Sequence, residues 1–170
     1  LDISSDISKS LDSLEELYFI PSFAGLGAPH WNTNAKAVIS GMSFSTHSDH
    51  IIRAALESTA YQVKDIVESL DTSIKSSIKS IRVDGGQTSN DFLMQFQADI
   101  LGFPVEVSKI FESTSLGAAF MSGIGSKIWK TENQLQSMYN HSKIYEPKMN
   151  KSEVDNLYSG WLNAINKLNN

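Results

Sequence analysis

The sequence predicts an α/β fold in which helices cover the faces of a sheet. Two observations predict it. Segments at residues 78–83 and 105–107, whose apolar residues are all β-branched, each give way to a segment with helical spacing, so strand and helix alternate. The two longest helical segments each carry one apolar stripe, through residues 51–70 and 154–168, which needs a sheet or another helix to cover it. Composition agrees: of 170 residues 41% are hydrophobic and 19% charged, a globular and not a disordered balance. That length suits about one domain on the usual range of roughly 100–200 residues.

Residues 1–16 are rich in Ser and Asp and read as a short helix or a leader. Tyr18-Phe19-Ile20 reads as the end of a strand stopped by Pro21. Residues 21–36 form a long loop punctuated by Gly25, Gly27 and Pro29, with Phe23 and Trp31 beside them; such loops serve packing or binding. Residues 37–44 read as a strand, and Ser48 with Asp49 as the cap and first turn of a helix. Ile52, Leu56, Val63 and Val67 continue that helix for about six turns. Residues 71–77 are a polar connection and 78–83 the next strand. Ser89 or Asn90 caps a second helix with Leu93, Phe96 and Ile100 on one face, and Gly102 and Pro104 end it. Val105 and Val107 alternate with polar residues in a third strand. Ser113 opens a helix whose Gly117, Ala118 and Ala119 would let it pack closely on a neighbour. Asn150 and Glu153 resemble a capping box for the last helix, whose stripe is Val154, Leu157, Trp161, Ile165 and Leu168.

Charge excludes some functions. Fourteen cations against nineteen acids give a net charge of −5, which argues against general nucleic-acid binding. Only Arg53 and Arg82 are arginines, so no multi-arginine phosphate clamp is available. With no cysteine there are no disulfides, thiolate metal sites or cysteine nucleophiles. No apolar run approaches the ~20 residues that span a bilayer, so no membrane partner is expected. The first residues do not read as a signal peptide, and a start at Leu1 reads as a piece of something longer.

The most informative segment is Asp84-Gly85-Gly86-Gln87-Thr88-Ser89-Asn90, between a strand and a helix. Gly85 and Gly86 remove both Cβ atoms, so a flat or anionic ligand could approach the backbone, and the following helix aims N–H groups at the same place. Asn90 could reach that ligand with its amide. A tight turn with a helix cap explains the same residues. Glu112-Ser113-Thr114-Ser115 is a second strand-to-helix junction, whose hydroxyls face a ligand or merely cap the helix. The Gly25-Leu26-Gly27 stretch lacks the Lys-Ser/Thr of a phosphate loop and reads as structural. His47 and His50 straddle a helix start, and with His30 and His141 they offer no set of three metal ligands. Glu57, Asp84 and Glu112 stand apart, so no catalytic pair follows. Tyr158 and Trp161 read as core.

Residues 18–129 resemble the C-terminal domain of the FGGY carbohydrate kinase family. Phe23-Ala24-Gly25-Leu26-Gly27-Ala28-Pro29-His30-Trp31 looks like the family's Gly-Leu-Gly-Ala-Pro-Tyr-Trp loop, with His30 in the tyrosine position. Gly41-Met42, seven residues, then His50 through Glu57 is similar to its second signature. Arg82 through Gly86 and Asn90 through Gln97 form the third stretch, supported by Leu116-Gly117-Ala118-Ala119 and Gly160-Trp161. Gln87, Thr88 and Ser89 depart from common family choices.

The resemblance implies an actin-like ATPase (ribonuclease H-like) domain, a mixed sheet flanked by helices, with residues 1–17 as leader or partial helix and 18–170 as the nucleotide-side domain. It implies a cytoplasmic protein that transfers the γ-phosphoryl of ATP, with Mg²⁺, to glycerol. Gly86 and Asn90, with Gly85 beside them, would contact ATP or ADP. In the family the glycerol site, the aspartate base and the phosphate loop precede this segment, so glycerol would bind through another domain and this chain alone would be inactive. No catalytic or metal-binding residue is expected here. Some members oligomerise, so a homo-oligomer is carried as an expectation. Two alternatives stay open: a kinase of another polyol or sugar, and a non-catalytic domain that binds a nucleotide or a partner.

Overall fold

The computed structural model describes residues 16–110, 112–131, 133–136 and 141–168. The leader expected over residues 1–16 therefore lies, up to Ser13-Leu14-Glu15, outside the described residues.

Strands β1 (Tyr18–Ile20) and β2 (Val38–Ser40) form an antiparallel pair, with Tyr18 opposite Ser40 and Ile20 opposite Val38. The second strand is shorter than the expected 37–44 because Gly41 turns to φ +89 against the Glu16 carbonyl, where a Cβ would not fit. Helix α1 (Ser48–Glu68) follows. His47, not Ser48, is its N-cap, and the His47 N–H donates to His50 Nδ1 at 3.0 Å. A ring nitrogen one turn ahead thus pairs the cap residue's own N–H, the N3-to-N-cap half of a capping box. The polar connection after α1 contains a single turn, α2 (Thr72–Lys75), joined to α1 by the Lys75–Glu68 ion pair.

Strand β3 (Ile81–Val83) is also shorter than expected. It leads through a 3₁₀ turn (Gly86–Ser89) into α3 (Asp91–Leu101). Gly102, at φ +72, ends α3 in the left-handed conformation expected of it. Strand β4 (Val105–Ser108) runs parallel to β3, and α4 (Ser113–Gly125) comes next. A short α5 (Asn133–Gln136) precedes β5 (His141–Tyr145), which pairs antiparallel with β4. The sheet β3-β4-β5 is therefore mixed. Helix α6 (Lys151–Asn166) completes the described chain; Asn150 Oδ1 accepts from the Glu153 N–H at 2.9 Å. Glu153 returns its carboxylate to the Asn150 side chain and not to the backbone, so only half of a capping box forms.

The core lies where α1, α3 and α6 meet the strands. Trp161, Tyr61, Ile20, Leu93, Ile100, Val105 and Ile165 are fully buried there. Tyr61 stacks on Trp161 with ring centroids 5.2 Å apart and takes the Phe96 ring edge-on. Trp161 is core as expected, but neither it nor Tyr158 is purely apolar. Trp161 Nε1 donates to Asp65 Oδ2 at 2.9 Å and Tyr158 Oη to Asp65 Oδ1 at 2.8 Å. His30 Nε2 meets Asp65 Oδ2 at 2.9 Å, so one buried carboxylate on α1 joins the 21–36 loop to α6. Asp99 does similar work on α3, accepting the N–H groups of Lys148 and Met149 ahead of α6.

Helix α4 departs from expectation. Ala118 and Ala119 are exposed, and a Cβ on Gly117 would meet nothing within 4 Å. The glycine that permits close approach is Gly123, where the Trp129 ring would collide with any Cβ. No helix among the described residues is long and apolar enough to cross a membrane.

Candidate functional site

The parallel strands β3 and β4 end side by side, with Val83 opposite Val107. In such sheets the space beyond the carboxyl ends of the strands is where ligands bind. β3 delivers Asp84, Gly85 and Gly86 to that edge. Gly85 sits at φ +97, ψ 177, a conformation essentially restricted to glycine. A Cβ built on either Gly85 or Gly86 would meet no atom within 4 Å, so the surface over the pair is open. Gly85 is thus required by backbone geometry, while Gly86 keeps space clear.

The turn is braced from beneath. Thr88 donates to the Gly85 carbonyl from its N–H at 3.1 Å and from its Oγ1 at 2.7 Å. Ser89 Oγ donates to the Gly86 carbonyl at 2.9 Å. Asn90 is buried and is the N-cap of α3, its Oδ1 accepting from the Leu93 N–H at 3.1 Å. The cap explanation of Asn90 therefore holds, and it coexists with a place at the turn's far end.

Asp84 has a partner that sequence spacing did not reveal. Its Oδ2 accepts from the Ser113 N–H at 3.2 Å, tying the β3–α3 junction to the start of α4. The two residues are 29 apart in sequence, but both follow parallel strands, and that signal could have placed them together. Arg82, Val83, Asp84 and Ser113 line a cleft of about 200 Å³ there. Beyond the turn, Thr88, Ser89, Lys109, Lys143 and Tyr145 border a groove of about 260 Å³. Asp91 holds that flank together, accepting from Lys143 Nζ at 2.8 Å and from Tyr145 Oη at 2.5 Å. The bond to Asp91 raises the Lys143 pKa, and burial followed by the same carboxylate raises that of Tyr145. The glycine turn thus lies between two clefts. A larger cavity of about 670 Å³ lies elsewhere, between the β1–β2 pair and α6.

The other singled-out residues do not join this site as ligands. Glu57 pairs with Arg53 one turn earlier, Nε to Oε1 at 2.8 Å, an i,i+4 relation the sequence already offered. Glu112 is the exposed N-cap residue of α4. His47 and His50 stack at 5.5 Å in the cap of α1, and His30 is on Asp65. The side chain of His141 lies outside the described residues. Among the described residues no group of three or more His, Asp or Glu is arranged to hold a metal ion.

Mixed sheet, flanking helices and a glycine turn at a strand exit are the features of an actin-like ATPase domain, and the comparisons give that class a family. The profile of the FGGY family of carbohydrate kinases, C-terminal domain, matches residues 4–126, and the chain belongs to that family. Among individual relatives it is similar to glycerol kinases. It is 42% identical over 161 residues to glycerol kinase of Alkaliphilus oremlandii, covering 95% of this chain and 32% of that protein. It is 44% identical over 151 residues to glycerol kinase 2 of Thermotoga maritima, covering 89% of this chain and 30% of that one. The crystal structure of Plasmodium falciparum glycerol kinase with ADP superposes at a TM-score of 0.84 with 38% identity, over 98% of this chain and 33% of the other. Ligand-bound xylulose kinase from Lactobacillus acidophilus superposes at 0.82 over 98% of this chain and 34% of the other, with 22% identity, and shows the fold alone. The chain spans about a third of the length of the curated relatives it matches.

Proposed function

We propose that this chain is the nucleotide-side domain of an ATP-dependent glycerol kinase and that Gly85, Gly86 and Asn90 form its adenine-nucleotide contact. The observation that carries this reading is the open space over Gly85 and Gly86 at the carboxyl end of β3. Support comes from the glycerol kinases that share about two residues in five with the chain, and from the one solved with ADP. A nucleotide fits the residues present: two consecutive positions without Cβ let its sugar and phosphates lie on main chain. Asn90 then fixes the direction in which α3 leaves the turn.

Phosphoryl transfer is largely positioning and charge stabilisation between groups on both sides of a cleft. In this reading the described residues supply one wall, and glycerol, the base and the phosphate loop belong to sequence outside the chain. Magnesium would arrive on the phosphates of ATP and offset their charge; no ligand for it is assigned among the described residues. A reaction drawing on cellular ATP supports the cytoplasmic location expected above. Homo-oligomer formation stays part of the proposal only through the family.

Gly86→Val tests the site. Its Cβ meets no atom within 4 Å in the folded chain, and the side chain would occupy the space given to the nucleotide. Titration calorimetry with ADP should show weak binding to the wild-type chain and none to the variant, at an unchanged thermal midpoint. Equal binding by both would remove the glycine turn from the site.

A further inference from the structure

We propose that Arg53 and Glu57 act as a positioning pair for the glycine turn, fixing the first turn of α3 through the ring of Phe92. The inference rests on the nucleotide-site reading above and deepens it. Arg53 binds Glu57 along α1 at 2.8 Å, and its guanidinium carbon lies 5.2 Å from the centroid of the Phe92 ring. Phe92 is the second residue of α3, two beyond Asn90 and six beyond Gly86. Its ring stacks on Phe96 at 6.0 Å, and Phe96 returns to α1 through Tyr61 at 5.5 Å. Arg53 and Tyr61 therefore grip α3 at two successive turns, and the upper grip is the one nearest the glycines.

A purely structural helix contact would not need this arrangement. Glu57 is only 2% exposed, and a buried ion pair is rarely more stabilising than packed hydrocarbon of the same volume. What such a pair does provide is one fixed direction for the guanidinium, and here that direction is onto Phe92.

Among the described residues, several groups face Glu57 and its partner. Arg53 and Tyr61 are on its own helix, Tyr18 approaches from β1 with Glu16 behind it, and α3 presents the Phe92 and Phe96 rings to Arg53 and Tyr61. Burial pushes the Glu57 carboxyl up to about 7, with Arg53 pulling it down. Glu57 thus changes charge near neutrality. Charged, it holds Arg53 by a charge-assisted bond; neutral, it holds it less firmly.

The test uses the 170-residue chain, with two readouts: ADP affinity by calorimetry, and the backbone amide NMR shifts of Gly85, Gly86 and Asn90 between about pH 6 and pH 8. In the wild type, affinity should rise about fivefold over that range and the amides should move with a midpoint near that of Glu57. Glu57→Gln should hold affinity at its low-pH value and flatten the amide response. Arg53→Met should weaken ADP binding about tenfold at the higher pH, with Arg53→Lys restoring part of it. An unchanged amide response in Glu57→Gln, or wild-type affinity in Arg53→Met, overturns the proposal. Should Glu57→Gln not fold, the amide response of Arg53→Met decides in its place: lost, it supports the pair; kept, it overturns it. A wild-type chain that binds no ADP at any pH defeats the nucleotide reading, while the amide shifts still judge the pair.

Discussion

Glu57 is the residue at which stability and ionisation meet. Its folded pKa, about 7, lies above the ordinary 4.5 because burial penalises the charged form more than Arg53 favours it. The sign follows directly. A carboxyl with a raised folded pKa contributes stability that is fully present below the unfolded value and is lost as pH rises through the folded one. The thermal midpoint of the wild-type chain should therefore fall between about pH 4.5 and pH 7 relative to that of Glu57→Gln. Melting both by circular dichroism across that window checks it, and parallel curves would show that folding does not raise the Glu57 pKa. At this scale the turn at Gly85 and Gly86 and the cap at Asn90 were legible in the sequence, because a glycine pair before a helix cap is a local pattern. Asp65 stayed hidden: in a helical stripe a lone acid looks solvated, and its three partners come from residues 30, 158 and 161.

Among the elements, α1, α3 and α6 were legible because each repeats apolar residues at helical spacing and is closed by local signals. β5 was not. His141-Ser142-Lys143-Ile144-Tyr145 has little strand character of its own and becomes a strand by pairing with β4 across a register irregularity. Likewise Gly117, Ala118 and Ala119 of α4 predicted a close contact that falls instead at Gly123, since small side chains permit contact without requiring it. A second close approach joins α6 to β1. A Cβ on Gly160 would fall 1.9 Å from the Tyr18 hydroxyl, which donates to the Leu157 carbonyl at 3.1 Å. Gly160→Ala should push Tyr18 off that carbonyl and cost about 2 kcal/mol through overpacking. Urea denaturation measures this, and Gly160→Ala combined with Tyr18→Phe should recover part of the loss. A midpoint equal to wild type would mean that α6 shifts freely against β1.

For the whole molecule, the question is what a chain that spans about a third of its curated relatives' length can do. The fold class was readable from alternation of strand and helix, and the family from motifs in order; the bridge between Asp84 and Ser113 needed one step more, the parallel pairing of β3 with β4, which reading segment by segment does not supply. With one wall of the proposed cleft, the chain should show no glycerol-dependent release of ADP from ATP in a coupled assay. On the proposed reading, a full-length protein carrying this domain should show it with glycerol and far less with xylulose. Turnover by the 170-residue chain alone would refute the division of labour, and a preference of the complete protein for xylulose would favour the sugar-kinase alternative.

The Asp65 cluster gives distant parts of the polypeptide a shared fate. Its carboxylate receives the rings of the final helix on one side and the imidazole of the early loop on the other. A stop codon just before Tyr158 would delete two of those partners and leave His30 as the one that remains among those named. The damage from losing the tail would then surface near residue 30, about 130 positions upstream, as a loosened Pro29–Trp31 segment.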